Sequence, residues 1–403
     1  MTGSLVGLFK GQSQYGAVRA HVDDLAEALR EEGCRTLTLD YLSDDFLDQI
    51  MQMVQQSQQV PPAFVHGMLG WGSEAKAGGR SLYDVLGCPF IHHMQDQPYF
   101  LHPRLLHPIA QHKIAVHDSA YESYLQRIPG LTPDRRILTC GGSAPPEPVL
   151  PFEVRDIDVL ISMSVTPMAE LTAQLAALPY AQRRLVKAII EEVLDTPDVA
   201  VHDVGFRLMA KFGIETWYAE PDKHAGHLLF ARQVLTTAYV QIHALRRLRL
   251  APQLLELPAI IHGSGWDSID VPSSRAVLRG PVDFREIQRL TGRSRIALNV
   301  MPPVNDAPHD RTFYAMLAGA VYLTDPNDFF RREYWEGDEI CYFDLRTTTL
   351  VDEVQALLAD PVKLTEIAAA GCATTAERHT WRHRARELLA FAEAPTPECH
   401  LVG

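Results

Sequence analysis

The chain has 403 residues, 46% hydrophobic and 22% charged, with 25 Gly and 27 Pro, which is the composition of a folded globular protein. That length is long for a single core and points to two domains. A formal charge of −13 excludes general affinity for DNA or RNA, whose phosphates require a Lys/Arg surplus.

No stretch approaches the roughly 20 uninterrupted apolar residues of a membrane span. The opening MTGSLVGLFKGQ has too short an apolar run for a signal peptide, so a cytoplasmic location is expected. Cys34, Cys88, Cys140, Cys341, Cys372 and Cys399 lie far apart with no CxxC pair and read as reduced thiols.

In chain order, SLVGLF reads as a buried strand and GQSQYG (11–16) as a turn-rich loop. Val18, Val22, Leu25, Ala26 and Leu29 then recur at helical spacing up to Gly33, and RTLTLDY reads as a second strand. AFVHGML, CPFIHHM and HKIAVHD continue the strands, SAYESYLQRI is helical, and RRILTCGG closes this half. APPEPVLPFE, with four prolines, suits an interdomain linker. IDVLISMS opens the second half, and a long helical stretch follows at 168–257, with breaks near 196–204 and 218–224. PAIIHGSG, RAVLRGPV, DFREIQRLTGRS, RIALNVMP and EICYFD restore the strand and helix alternation, which ends in VDEVQALLADPVKLTEIAAAG. The expected fold is α/β, with two doubly wound domains and a helical insertion in the second.

Open parallel sheets bind ligands at the carboxyl ends of their strands, where the strand order reverses. NDAPHDRTFYAMLAGAVYLTD (305–325) has that setting: a strand ends at 299–301, a polar loop follows, and a helix begins near Arg311. A helix N-terminus attracts anions, Arg311 adds a forked charged donor and His309 a second donor. The alternative is that Asp310 and Arg311 only cap the helix and pair on the surface. HGSGWD (262–267) and LTDP (323–326) form comparable strand-end loops, and the glycines of the first allow close backbone approach to a ligand.

The ordered run GSGW, RG-V-F-EI-RL--RSRIALNV, HDRTFYAMLAGAVYLTD, EI-YFD, LLAD and HTWRHRARELL resembles the C-terminal domain of GT-B glycosyltransferases of the CgeB-like (spore maturation protein) type, over 258–389. The resemblance implies two Rossmann-like domains facing a cleft. Residues 1–150 would form the acceptor domain and 151–375 the donor domain, with a final helix at 376–395 packing back on the first. It also implies a nucleotide-diphosphate sugar as co-substrate, no cofactor and no metal. Carried over, His309 and Arg311 would contact the diphosphate. Gly263, Ser264 and Trp266 would lie near the nucleotide, with Asn305, Thr324 and Asp325 beside the donor. Tyr314 stands where many relatives have an acid that holds the ribose, and a tyrosine cannot accept two hydrogen bonds from a diol. Ribose recognition would then fall to Asp325 or weaken.

Sugar transfer with inversion needs a base, and IHHMQDQPYF (91–100) offers Asp96 and His93, with Asp96 favoured by resemblance. Gly11 and Gln12 would face the acceptor. His92 and His93 are a poor chelating pair, because neighbours on a strand point to opposite faces. The acceptor (glycan, protein or small molecule), the stereochemistry and a homo-oligomeric state stay open. The alternative function is a catalytically silent GT-B module that binds a nucleotide or a partner, for which the apolar stripe at 228–250 would be the docking face. That stripe also reads as packing within its own domain. An oxidoreductase fits less well, because KGQSQYGAV lacks GxGxxG, and a sugar epimerase of the same shape stays open.

Overall fold

The computed structural model describes residues 3–128, 130–131, 133–214 and 221–395, the side chains of 221–225 apart. The chain divides into two units, Met1–Gly141 with His379–Gly403, and Gly142–Arg378.

Unit 1 holds a parallel six-stranded sheet of β1 (Leu5–Lys10), β2 (Arg35–Asp40), β3 (Phe64–Met68), β4 (Phe90–Met94), β5 (His112–Val116) and β6 (Asp134–Ile137), ordered β2-β1-β3-β4-β5-β6. Val6, Leu8 and Phe9 are all buried, as they must be in a sheet covered on both faces. Helices α1 (Ala17–Glu31), α2 (Phe46–Ser57), α3 (Leu82–Leu86), α4 (Pro98–Leu105) and α5 (Glu122–Leu125) connect the strands. Helix α2 has no clear sequence signal, because Leu47 and Met51 are exposed and only Met53 is buried. Met53 seats against Gly7, where an added Cβ would lie 2.3 Å from its methyl carbon. The final helix, Trp381–Glu393, belongs to this unit. Trp381 packs on His21 of α1 (5.6 Å between rings), and Arg384 Nε donates to the Cys140 carbonyl at 3.0 Å.

Unit 2 repeats the plan with β7 (Ile157–Ser162), β8 (Ala259–His262), β9 (Val277–Arg279), β10 (Ser294–Asn299), β11 (Val321–Thr324) and β12 (Cys341–Tyr342), all parallel in the order β9-β8-β7-β10-β11-β12. Four helices fill the β7–β8 connection: α6 (Met168–Ala176), α7 (Tyr180–Asp195), α8 (Val201–Lys211) and α9 (Pro221–Glu256). A turn at Leu178–Pro179 splits the first of them off, a break absent from the sequence reading. The expected break at 218–224 lies outside the described residues up to 220, and from Pro221 onward the chain is helical. Ala231, Val234, Leu235, Ala238 and Ile242 are buried, so the apolar stripe of α9 serves its own unit. α10 (Phe284–Thr291), α11 (Asp310–Leu317), α12 (Asp328–Glu333), α13 (Leu350–Ala359) and α14 (Pro361–Arg378) complete the unit.

The fold is thus α/β with two Rossmann-like units and a helical insertion in the second. The five described cysteines are free thiols, and Cys399 lies outside the described residues. Among the described residues, no helix is long and apolar enough to cross a membrane.

Unit 1 buries a group of histidines. His66 Nε2 meets His93 Nδ1 at 3.2 Å, His93 Nε2 meets the Leu138 carbonyl at 3.1 Å, and the His92 ring stacks at 6.0 Å from His112 on the other face. Burial pushes His66 down to about 3 and His112 to about 4, from 6.5. Folding keeps these rings neutral while the unfolded chain protonates them. The stability they permit is therefore complete above pH 6.5 and is lost as pH falls towards 4. At pH 5 the loss is about 2 kcal/mol for each such ring. Thermal unfolding followed from pH 7 to pH 5 should show a falling melting temperature, and His112→Phe should make that slope shallower. An unchanged slope in the variant would refute the assignment.

Candidate functional site

In unit 2 the strand order reverses between β7 and β10, which puts the ligand crevice at their carboxyl ends. The segment after β7 and the loop after β8 are joined edge to edge: Ser264 N donates to Ser164 Oγ at 3.0 Å and Val165 N to the Ser264 carbonyl at 3.0 Å. An added Cβ on Gly263 would lie 2.0 Å from the Met163 carbonyl oxygen, and one on Gly265 2.1 Å from that of Val165. The glycines therefore admit another piece of this backbone, a correction to the reading that they admit a ligand. Trp266 is corrected as well. Its indole is buried in the core and donates to the Met163 carbonyl at 2.8 Å, so it anchors the loop and offers no face to a nucleotide.

Helix α11 aims its N-terminus at this crevice. His309 is the N-cap, its Nδ1 accepting the Arg311 N–H at 3.4 Å, and the Asp310 carboxylate lies against the same nitrogen. Burial lowers the pKa of His309, and Asp310 opposes the shift. Arg311 reaches across to the Ser162 carbonyl at the end of β7, with Asp310 at 3.8 Å. The cap is thus His309 and not the expected Asp310 or Arg311, and Arg311 does more than pair with Asp310 on the surface.

The insertion supplies residues the sequence reading missed. Arg247 of α9 donates to the Ser164 carbonyl at 3.0 Å, and its Nε has no partner. Burial, and then the charge of Arg311, push its pKa down to about 10, so it remains cationic at neutral pH. The same two arginines, after burial, help hold His243 well below its usual pKa. The signal was RRLR inside an apolar helix, where a guanidinium facing inward has to find a partner.

Beyond β11, Thr324 is fully buried with an unpartnered Oγ1. Asp325 Oδ1 accepts from Met301 N at 2.7 Å, and its other oxygen lies 3.9 Å from Arg246. Burial raises Asp325 to about 6, against the pull of Arg246. Asn305 and Asp325 line a cavity of about 850 Å³. Tyr314 is buried and meets Phe284 edge-on at 5.0 Å inside the α10–α11 packing, and it lines a small cavity with Ser162, Asn299 and Arg311.

In unit 1 the order reverses between β1 and β3. An added Cβ on Gly11 would lie 2.2 Å from the Trp71 ring, so this glycine makes room for the indole, and Gln12 is exposed. Arg104 stacks over the Trp71 ring at 4.2 Å. Asp96 is exposed in the bend between β4 and α4. His93 is corrected as a candidate base. Its ring is fully buried, both nitrogens are engaged, and burial holds its pKa well below the usual value.

Residues 241–390 match the family model described as glycosyl transferase-like. No curated protein sequence matches the chain. Among solved structures, an α-glucosyltransferase in complex with UDP and a DNA 13-mer superposes with a TM-score of 0.51 at 9% identity, over 97% of this chain and 100% of that one. Anabaena Alr3699/HepE, in complex with UDP and glucose, gives 0.47 at 9% identity over 98% and 100%. Sucrose-phosphate synthase from Thermosynechococcus elongatus gives 0.44 at 12% over 96% and 98%. At such identity a likeness shows the fold alone, and that fold is GT-B. The family match covers part of unit 2 and most of the final helix.

Gly263→Ala should lower stability by about 1–3 kcal/mol, because the Met163 carbonyl must move. Gly280→Ala, with nothing within 4 Å of the new Cβ, should stay within about 0.5 kcal/mol of the parent. Chemical denaturation of both would decide, and equal losses would remove the steric explanation.

Proposed function

We propose that the protein transfers a sugar from a nucleotide-diphosphate donor to an acceptor hydroxyl, as a member of the CgeB-like type that its GSGW and HDRTFYAMLAGAVYLTD motifs resemble. One observation carries this: Arg247 and Arg311 converge with the N-terminus of α11 at the strand-end crevice of unit 2, and the only acid within 4 Å of either guanidinium among the described residues is Asp310. Two guanidiniums and a helix N-terminus are what a diphosphate leaving group needs as the anomeric bond breaks. A phosphate taking the Arg311 N–H would displace the His309 cap, after which the imidazole can take up a proton and donate as well.

The loop at Gly263 and Ser264 borders the nucleotide end, and Asn305, Thr324 and Asp325 the sugar end. Asp96 of unit 1 is the base that accepts the acceptor proton, with Gly11 and Gln12 on the acceptor side. The acceptor oxygen then bonds to the anomeric carbon, and the nucleotide departs as the diphosphate. Fixed arginines supply the positive charge that a divalent cation would otherwise bring, so the reaction needs neither metal nor cofactor. We place the enzyme in the cytoplasm. The silent-module reading loses one of its two motives, because the α9 stripe is buried.

UDP heads the nucleotides to test, since the α-glucosyltransferase of the same fold was solved with it. In a thermal-shift screen of UDP, GDP, ADP, CMP and TDP with their sugar conjugates, one nucleotide should stabilise the full chain. The gain is about 2.7 kcal/mol at a hundredfold excess over Kd. Arg311→Ala should abolish that gain and the release of nucleoside diphosphate during transfer while still melting cooperatively. Wild-type turnover by this variant would sink the reading.

A further inference from the structure

The cavity beside Asp325 extends away from the phosphate end of the crevice. Asn305 and Asp325 form one wall, while Ser164, Arg247 and Arg311 take no part in its lining. Its other walls come from the α7–α8 turn at Pro197 and Asp198, from Arg246 and Arg249 of α9, and from the segment after β12 at Asp344 and Arg346. At about 850 Å³ it lies in the upper part of the range for ligand sites, more room than one sugar ring fills.

Four arginines line this space, namely Arg246, Arg249, Arg331 and Arg346, against five carboxylates. The charges are mostly paired: Arg246 with Asp325 at 3.9 Å, Arg331 with Asp198 at 3.7 Å, and Arg346 with Asp344 at 3.4 Å. Such a lining has no net field to draw in a phosphate. It sets donors beside acceptors above the apolar side chains of Leu245, Leu248 and Leu345. Vicinal hydroxyls on an apolar ring face ask for that combination, each hydroxyl donating to a carboxylate and accepting from a guanidinium.

Two groups await a partner. Arg246 is only 4% exposed, yet its Nε has none, and its other nitrogens reach the Pro197 and Pro302 carbonyls at 3.2 and 3.5 Å. The Tyr342 hydroxyl, also in the lining, has none either.

We propose that this cavity binds a neutral oligosaccharide, the terminal sugars of the acceptor, so that unit 2 recognises the glycan next to the sugar being transferred. This rests on the donor site proposed above and adds a glycan subsite on unit 2 to the acceptor groups of unit 1. The Asp325 and Arg246 pair would take hydroxyls at the inner end, and Arg249 and Asp198 those nearer the mouth.

The test uses the full chain on a microarray of neutral glycans, followed by calorimetry with the strongest binder, beside a thermal shift with UDP. Arg249→Ala and Asp198→Ala alter exposed side chains and should fold normally. Each should weaken glycan binding tenfold or more and leave the UDP shift intact, while Arg311→Ala should do the reverse. Binding of no glycan, or binding unchanged in both cavity variants, overturns the proposal even where UDP binds. Loss of the UDP shift in Arg249→Ala also overturns it, since the cavity would then hold the nucleotide. Glycan binding lost in the cavity variants with no UDP shift in the parent supports the cavity and defeats the donor site instead.

Discussion

Helix α11 is fastened at both ends by arginines, and the strand-end crevice of unit 2 depends on that. At its C-terminus the buried Arg155 guanidinium donates to the carbonyls of Ala318 (2.9 Å), Gly319 (2.6 Å) and Ser294 (2.7 Å), with Nε on Leu150. A cation there satisfies orphan carbonyls and complements the helix dipole. Burial lowers its pKa to about 10, which still leaves it charged at neutral pH. Gly319, with φ of +65°, leaves 3.1 Å between a hypothetical Cβ and that guanidinium, so a larger residue would press on it. At the other end Arg311 ties the first turn to the close of β7. The helix is thereby tied to the strands that flank the order reversal, and its N-terminus stays at the crevice.

The insertion between β7 and β8 does for charge what α11 does for geometry. Consecutive arginines on α9 serve different places: Arg247 turns to the Ser164 carbonyl at the crevice, while Arg246 lines the cavity beside Asp325. Burying two guanidiniums is costly unless each finds acceptors, and backbone carbonyls of Ser164, Pro197 and Pro302 supply part of that need. The Nε of each is left without a hydrogen-bond partner.

Much of the α/β plan was legible in the sequence, because buried parallel strands are short apolar runs bounded by turns. Their lateral order was not, since nothing local distinguishes β2-β1-β3 in unit 1 from β9-β8-β7 in unit 2. Helix α2 was lost because its exposed leucine and methionine blur the periodicity. At the site, position was easier to read than role. Gly263 and Gly265 are where the motif puts them, yet the neighbour they admit is backbone after β7. Trp266, Tyr314 and His93 sit among polar motif residues but turn inward, and a motif does not say which way a ring faces. Arg246 and Arg247 were hidden in a stripe read only for its apolar residues.

A crystal structure of the full chain soaked with UDP would test the central claim most directly. The account predicts a diphosphate within hydrogen-bond reach of the Arg311 and Arg247 guanidiniums and the first N–H groups of α11, with the His309 cap released. A diphosphate bound elsewhere on unit 2, with those groups still held by Ser162, Ser164 and His309, would contradict it.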